Sequence, residues 1–318
     1  MLFSKLAIAI TDKCTAACSM CCFSCSPSCK QHLETDLIKS VIDEVTETKT
    51  MRSIGWSGGE AFLYYDQMLE CTVYAKSKGL RLTVNTNGYW GKDPVRALEM
   101  MKELKTAGIE LVSFSADRYH QQFVPIKDLK TALRACDEAG LLTDISFMDT
   151  KDSDDIVQLT EQLRPEIYHT IIQPHPLLPV GRAMETIKEE RIVTSFKTEN
   201  SKCSFGGLVH LNFDGNYYLC CSQFCKEIPP IKIGKAGVSP FGELESKVSS
   251  NPYLYIMLME GFHWYVEKAK EYGIKIPNYL CSPCHCCYFV FRNKDFLRQI
   301  RDDVEKESER LHLQKLFE

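Results

Sequence analysis

Apolar and polar positions alternate in period along the first 185 residues. Residues 4–10 are mostly apolar and show little alternation, the pattern of a strand buried on both faces of a parallel sheet. Between Glu34 and Thr48 the residues Leu37, Ile38, Val41, Ile42 and Val45 recur at helical spacing. A short strand from Met51 follows, then a helical pattern through Met68, Val73 and Tyr74 to Lys78. Further strands are expected over 80–85, 111–115, 142–148 and 168–173. Helices are expected over 94–107, 127–139 and 153–163, with Pro94 in a first turn that tolerates it and a Ser/Asp cap at Ser153. About six strand–helix units predict an α/β domain with a parallel sheet, curved or partly closed like a barrel.

Beyond about Glu185 the alternation stops. Residues 189–200 are charged and connecting. Two strands are expected over 208–213 and 216–220, joined by the hairpin signal Asp214-Gly215. One helical stretch over 252–272 precedes Cys281-Ser-Pro-Cys284-His-Cys286-Cys287, and a charged amphipathic helix over 293–317 reads as a packing or capping element. Cysteines near both ends of this small module point to a metal that fastens it. The expected division is 1–185, 186–290 and 291–318.

Charge narrows the partners. A net charge of −4 and a pI of about 6.1 supply no bulk positive field for nucleic acid or an anionic membrane. No apolar run is long enough to span a bilayer and no signal peptide precedes Cys14, so a cytoplasmic protein is expected. In that compartment sixteen cysteines point to metal or thiol chemistry and not to a disulfide framework.

The cysteines that matter most follow the first strand: Cys14-Thr-Ala-Ala-Cys18-Ser-Met-Cys21. That end of a barrel strand is where strand–helix loops build active sites. Three thiolates at this spacing hold three irons of a cubane cluster and leave the fourth open to a substrate or cofactor. A zinc knuckle or structural thiols would share the spacing. Gly58-Gly59-Glu60 ends the second strand, and Asn87-Gly88, after the third, reads as a turn. Asp117, Tyr119 and His120 follow the fourth strand, either as substrate contacts or as a loop hydrogen-bond network. Cys71 and Cys136 lie among apolar helical positions, as core thiols do.

Taken together, the three cysteines, Gly58-Gly59-Glu60 and Pro179-Val-Gly181-Arg-Ala resemble the radical S-adenosylmethionine (SAM) superfamily, over most of residues 4–185. The resemblance implies a partial (β/α)6 TIM-like barrel, with Cys14, Cys18 and Cys21 holding a [4Fe-4S] cluster that binds SAM. It implies that Gly58, Gly59 and Glu60 hold the methionyl amine, that Ser115 and Asp117 contact the ribose or carboxylate, and that Gly181 lines the adenine. Met20 departs from the aromatic residue usual before the last cysteine; a thioether can still pack on adenine. The C-terminal half resembles a shortened SPASM domain, a twitch domain, with Cys203, Cys220, Cys281 and Cys284 around an auxiliary [4Fe-4S] cluster. A structural zinc would suit the same four thiolates.

Cys21-Cys22-Phe23-Ser24, Asn87-Gly88-Tyr-Trp-Gly91, Cys220-Cys221 and Cys281-x2-Cys284 are similar to the YydG/EpeE-type radical SAM peptide epimerases. That similarity implies conversion of L- to D-residues in a ribosomally synthesised precursor peptide, with Cys221 returning the hydrogen. It also implies a cellular one-electron reductant of flavodoxin or ferredoxin type. Cys22, Cys25, Cys29, Cys225, Cys286 and Cys287 exceed that scheme and keep thioether or other crosslinking open, beside a non-catalytic metal-binding module. With no room before Cys14 for a leader-binding domain, the peptide is expected at the barrel mouth, the small module or the C-terminal helix.

Overall fold

A computed structural model describes residues 3–151, 155–198, 201–203, 206–220 and 228–317. Six strands, β1 (Lys5–Ala9), β2 (Ser53–Ser57), β3 (Arg81–Thr86), β4 (Ile109–Ser115), β5 (Leu142–Asp149) and β6 (Thr170–Pro176), alternate with five helices. These are α1 (Thr35–Glu47), α2 (Tyr65–Ser77), α3 (Pro94–Ala107), α4 (Ile126–Glu138) and α5 (Asp155–Leu163). Each helix forms where the apolar spacing places it: Ile38, Val41, Ile42 and Val45 are the buried face of α1. Asp93 caps α3 by accepting from the Val95 and Arg96 amides, and Gly108 ends it in the left-handed conformation. The cap expected at Ser153 lies outside the described residues.

All six strands run parallel in sequence order, as in the partial (β/α)6 barrel. β1 is buried on both faces toward its end, with Leu6 and Ile8 on one and Ala9 on the other, and the neighbouring strands alternate more. Leu6, Ile8, Ile54, Trp56, Leu82 and Val84 are buried, whereas the alternate positions Ala7, Gly55, Ser57 and Thr83 are small and only half-buried. A curved sheet whose inner face stays accessible has this pattern.

After α6 (Ala183–Thr186) and β7 (Phe196–Lys197), the chain forms β8 (Leu208–Leu211), β9 (Asn216–Tyr218) and β10 (Lys232–Lys235). These strands do not make a separate sheet. β8 pairs parallel with β1, Lys5 opposite Leu208 and Ile8 opposite Leu211, so one nine-stranded sheet runs in the order β10-β9-β8-β1-β2-β3-β4-β5-β6. The hairpin turns at Asp214-Gly215 as expected, with Gly215 at φ +76° and the Asp214 carboxylate accepting from the Asn216 amide.

The helical stretch over 252–272 is two helices, α8 (Pro252–Met259) and α9 (Phe262–Glu271), after the short α7 (Leu244–Ser249). Gly261, at φ +90°, breaks the run, and its missing side chain leaves room for the Ser201 carbonyl, 2.9 Å from where a Cβ would stand. β11 (Tyr279–Leu280) pairs with β7. The cysteine run then enters α10 (Pro283–Arg292), and the expected tail helix divides into α11 (Lys294–Gln299) and α12 (Arg301–Phe317). Val304, Ser308 and Leu311 are the buried face of α12, which packs on α8. Among the described residues no helix is long and apolar enough to cross a membrane.

Candidate active site

The glycine pair after β2 is shaped to the stretch that leads into Cys14. A Cβ on Gly58 would stand 2.6 Å from the Thr11 carbonyl oxygen, and one on Gly59 2.3 Å from that of Lys13. Without side chains the two segments close: the Gly59 amide donates to Thr11 O (2.6 Å) and the Glu60 amide to Lys13 O (2.9 Å). The close approach expected of these glycines is thus made to the cysteine loop.

Glu60, 1 % exposed, accepts from the Phe62 amide (3.2 Å), the Thr86 hydroxyl (2.9 Å) and the Asn87 amide (2.8 Å). Burial pushes its carboxyl up to about 7 in spite of those donors. A buried carboxylate in that state favours a cationic partner, as the ammonium of a methionyl group would be. Asn87 is more than a turn residue. Its side-chain amide donates to the Thr15 hydroxyl at 3.0 Å and lies 3.8 Å from the Cys14 sulfur, so the end of β3 touches both the carboxylate and the cysteine loop.

Cys14 and Cys18 are buried and Cys21 half-buried. Burial is the main cause that pushes the thiols of Cys14 and Cys18 up to about 12, and mutual repulsion among the three sulfurs adds to it. Three thiolates therefore need positive charge brought among them, which cationic irons supply. Cys21 is held below the ordinary thiol range, first by a hydrogen bond from Cys25 and last by the charge of Arg182. Among the described residues no three His, Cys, Asp or Glu side chains stand close enough to share one metal ion.

Gly181 and Arg182 close the loop from the far side. A Cβ on Gly181, at φ +58°, would stand 2.1 Å from the Cys22 carbonyl oxygen. The Arg182 guanidinium donates to the carbonyls of Cys18 (2.7 Å), Ser24 (2.9 Å) and Cys25 (2.7 Å), and its amide to that of Cys21 (3.0 Å). The Thr186 hydroxyl adds a bond to Ser19 O at 2.6 Å. Gly181 thus sits on the loop's own backbone. Arg182 is the functional neighbour that sequence reasoning passed over, although it stands inside a motif already singled out.

Asp117 is buried and heavily engaged, accepting from the Tyr119 and His120 amides (2.8 and 3.0 Å) and facing His120 Nδ1 at 3.0 Å. Burial works against its charge, yet His120 and the amides outweigh it and the carboxyl falls below its usual range. His120 is likewise depressed by burial and raised further by Asp117. The hydrogen-bond network expected of this loop forms, and the charges of Cys21 and Glu60 also act on His120. Ser115 ends β4, half-buried, opposite Ser146 of β5.

A second group of thiols gathers at the base of the β8–β9 hairpin. Cys287 is buried, and its thiol is pushed well up, first by burial and then by the charges of Cys220, Cys203 and Cys284. Cys281 has a different neighbour, its sulfur lying 3.2 Å from Nδ1 of His285. Cys221 and Cys225 lie outside the described residues. Cys71 and Cys136 are fully buried in helices α2 and α4, as core thiols.

The two thiol groups lie toward opposite ends of β1. Cys14 follows the strand's C-terminal end. The Gly207 carbonyl, before β8, accepts from the Ser4 and Lys5 amides at the other end, and Cys220 comes two residues after Tyr218, which pairs with His210. Phe23 of the cysteine loop packs edge-on against His210 and Phe213 of the hairpin, with ring centroids 5.9 and 6.2 Å apart.

A parallel six-strand sheet with a three-cysteine loop at the carboxyl end of its first strand and a glycine–glycine–glutamate turn after its second defines a radical SAM domain. Residues 8–163 match the model of the radical SAM superfamily, and the chain carries that domain. It is 28 % identical over 310 residues, 95 % of this chain and 96 % of the other, to Bacillus subtilis (strain 168) YydG, whose name assigns it to peptide biosynthesis. A shorter similarity, 28 % over half of this chain and 40 % of the other, is to the Fe-coproporphyrin III synthase of Methanosarcina barkeri. In fold it matches native anSMEcpe with bound AdoMet and the Cp18Cys peptide (TM-score 0.57, 13 % identity, 96 % of this chain and 99 % of the other). It also matches BtrN in complex with AdoMet and 2-DOIA (TM-score 0.51, 13 % identity, 92 % and 93 %). The family implies a [4Fe-4S] cluster and SAM, and Cys14, Cys18, Cys21 and Glu60 have the donor chemistry for them.

Proposed function

We propose that the chain is a radical SAM peptide epimerase, which converts L- to D-residues in a ribosomally synthesised precursor peptide. The observation that carries the reading is the placement of two thiol groups toward opposite ends of β1, in a chain similar over nearly its whole length to a peptide-biosynthesis protein. Inversion of a carbon centre needs a hydrogen to leave from one face and another to arrive at the opposite one, and two separate thiol groups supply the two kinds of chemistry this takes. A five-residue strand at about 3.3 Å per residue holds its two ends roughly 13 Å apart.

Cys14, Cys18 and Cys21 would hold a [4Fe-4S] cluster, which together with SAM would supply the radical chemistry that takes a hydrogen from the substrate Cα. The chain's own residues do the rest. Glu60, buried beside the cysteine loop, receives the methionyl ammonium. Gly58, Gly59, Gly181 and Arg182 hold the cysteine loop, and Asp117 orients His120 beside it; Ser115 is assigned to the SAM ribose or carboxylate. Cys203, Cys220 and Cys284, with Cys281 as the expected fourth ligand, would hold an auxiliary [4Fe-4S] cluster. Cys221, next to Cys220, donates a hydrogen atom from its S–H bond to the opposite face of the planar substrate carbon. The thiyl radical left on Cys221 takes up one electron and one proton, the electron from a cellular reductant of flavodoxin or ferredoxin type.

The test is anaerobic incubation of the enzyme with SAM, reductant and a candidate precursor peptide, in heavy water, followed by mass spectrometry and chiral amino-acid analysis. One deuterium and one D-residue per modified centre are expected. A peptide that loses hydrogens and gains a linkage would replace this reading with crosslinking. Cys221→Ala should still cleave SAM while D-residue formation collapses; normal D-residue yield would remove Cys221 from the donor role.

A further inference from the structure

The segment Cys281-Ser-Pro-Cys284-His-Cys286-Cys287 contains two overlapping C-x2-C pairs, 281/284 and 284/287. Sequence spacing treats them alike, and the fold separates them. Helix α10 starts at Pro283, so Cys284 and Cys287 stand three residues apart on one helix and share a face. Cys281 lies beyond Ser282, which is extended (φ −168°, ψ 171°) and caps the helix by accepting from the His285 amide. That extended residue carries Cys281 off the helix, and its sulfur meets His285 Nδ1 at 3.2 Å in a buried contact. Cys287, 7 % exposed, instead lies within electrostatic reach of Cys220, Cys203 and Cys284, thiols from three separate segments.

We propose that the C-terminal cluster is held by Cys203, Cys220, Cys284 and Cys287, and that Cys281 is not a ligand but a thiol held by His285. The proposal rests on the reading that this module holds an iron–sulfur cluster. It corrects the expected ligand set at one position. Two ligands on consecutive turns of one helix have a separation fixed by the backbone, whereas Cys281 would have to leave its imidazole contact and cross Ser282 to replace Cys287.

The test uses the full chain with Cys14, Cys18 and Cys21 all changed to Ala, so that only the C-terminal cluster can remain. Iron and sulfide are counted, and the dithionite-reduced protein is examined by electron paramagnetic resonance. The parent should hold about four irons and four sulfides per chain. Adding Cys281→Ser should leave both the content and the spectrum of the parent unchanged. Adding Cys287→Ser should lose the cluster or, where the serine oxygen ligates, shift its spectrum. Loss or a shifted spectrum with Cys281→Ser, or parental behaviour with Cys287→Ser, overturns the assignment. A parent free of iron rejects the underlying auxiliary-cluster reading, a separate result. Circular dichroism distinguishes a lost cluster from a lost fold; if Cys287→Ser unfolds, Cys281→Ser alone decides.

Discussion

Arg182 is the single side chain whose removal should most directly loosen the cysteine loop. Its guanidinium makes three bonds to loop carbonyls, at 2.7, 2.9 and 2.7 Å. Hydrogen bonds to a charged group contribute about 1.5–3 kcal/mol each. The side chain is only half-buried, and two of the three bonds share one nitrogen, so the lower end applies. Arg182→Ala should then cost roughly 3 kcal/mol of loop closure, a factor of about 100 in the opening equilibrium. The Arg182 amide bond to Cys21 O survives the change, which limits the effect to the loop. The assay is anaerobic iron release to a strong chelator, followed by loss of visible absorbance, because release tracks the open population when opening is fast. The fast phase should accelerate by one to two powers of ten (about 1.4–3 kcal/mol), while global thermal unfolding moves little. Arg182→Lys should recover only a small part, since an ammonium cannot bridge three carbonyls in one plane. Parental release by Arg182→Ala would refute the argument that this guanidinium holds the loop.

Three further changes probe the remaining contacts. Glu60→Gln removes the buried anion and sets an amide against the Thr86 and Asn87 donors, so SAM affinity should fall at least about tenfold (~1.4 kcal/mol) by equilibrium dialysis of iron-replete protein; unchanged affinity would exclude Glu60 from the ammonium. Asp117→Asn breaks a buried pair and should cost about 3–5 kcal/mol in chemical denaturation, with SAM cleavage also slowed because His120 loses its anchor; an unaltered midpoint would show that the pair is not structural. Gly181→Ala meets the Cys22 carbonyl oxygen at 2.1 Å and should prevent cluster loading, whereas Gly215→Ala, also at positive φ but with nothing within 4 Å, should cost only about 1–2 kcal/mol. Iron content of the two proteins compares them, and equal loading would contradict the packing argument.

What the sequence could and could not reveal follows from the range of each interaction. The strand–helix alternation is local, and α3 spans the expected residues because Asp93, Pro94 and Gly108 signal both ends within the segment itself. The helix expected through Gly261 failed for a non-local reason: its glycine makes room for the Ser201 carbonyl, sixty residues earlier in the chain. The same holds at the site. Cys14, Cys18, Cys21 and Glu60 carry their chemistry in residue type and spacing, whereas the clamp by Arg182 joins segments more than 150 residues apart. The pairing of β8 with β1 had least local signal of all, because a hairpin pattern specifies its own turn and not the strand beside which it lies. Yet that pairing gives the proposed chemistry its geometry. By running parallel to β1, β8 sets the base of the hairpin, with Cys203 and Cys220, toward the end of the strand away from Cys14. Had the hairpin joined β1 antiparallel, both thiol groups would stand at one end of that strand.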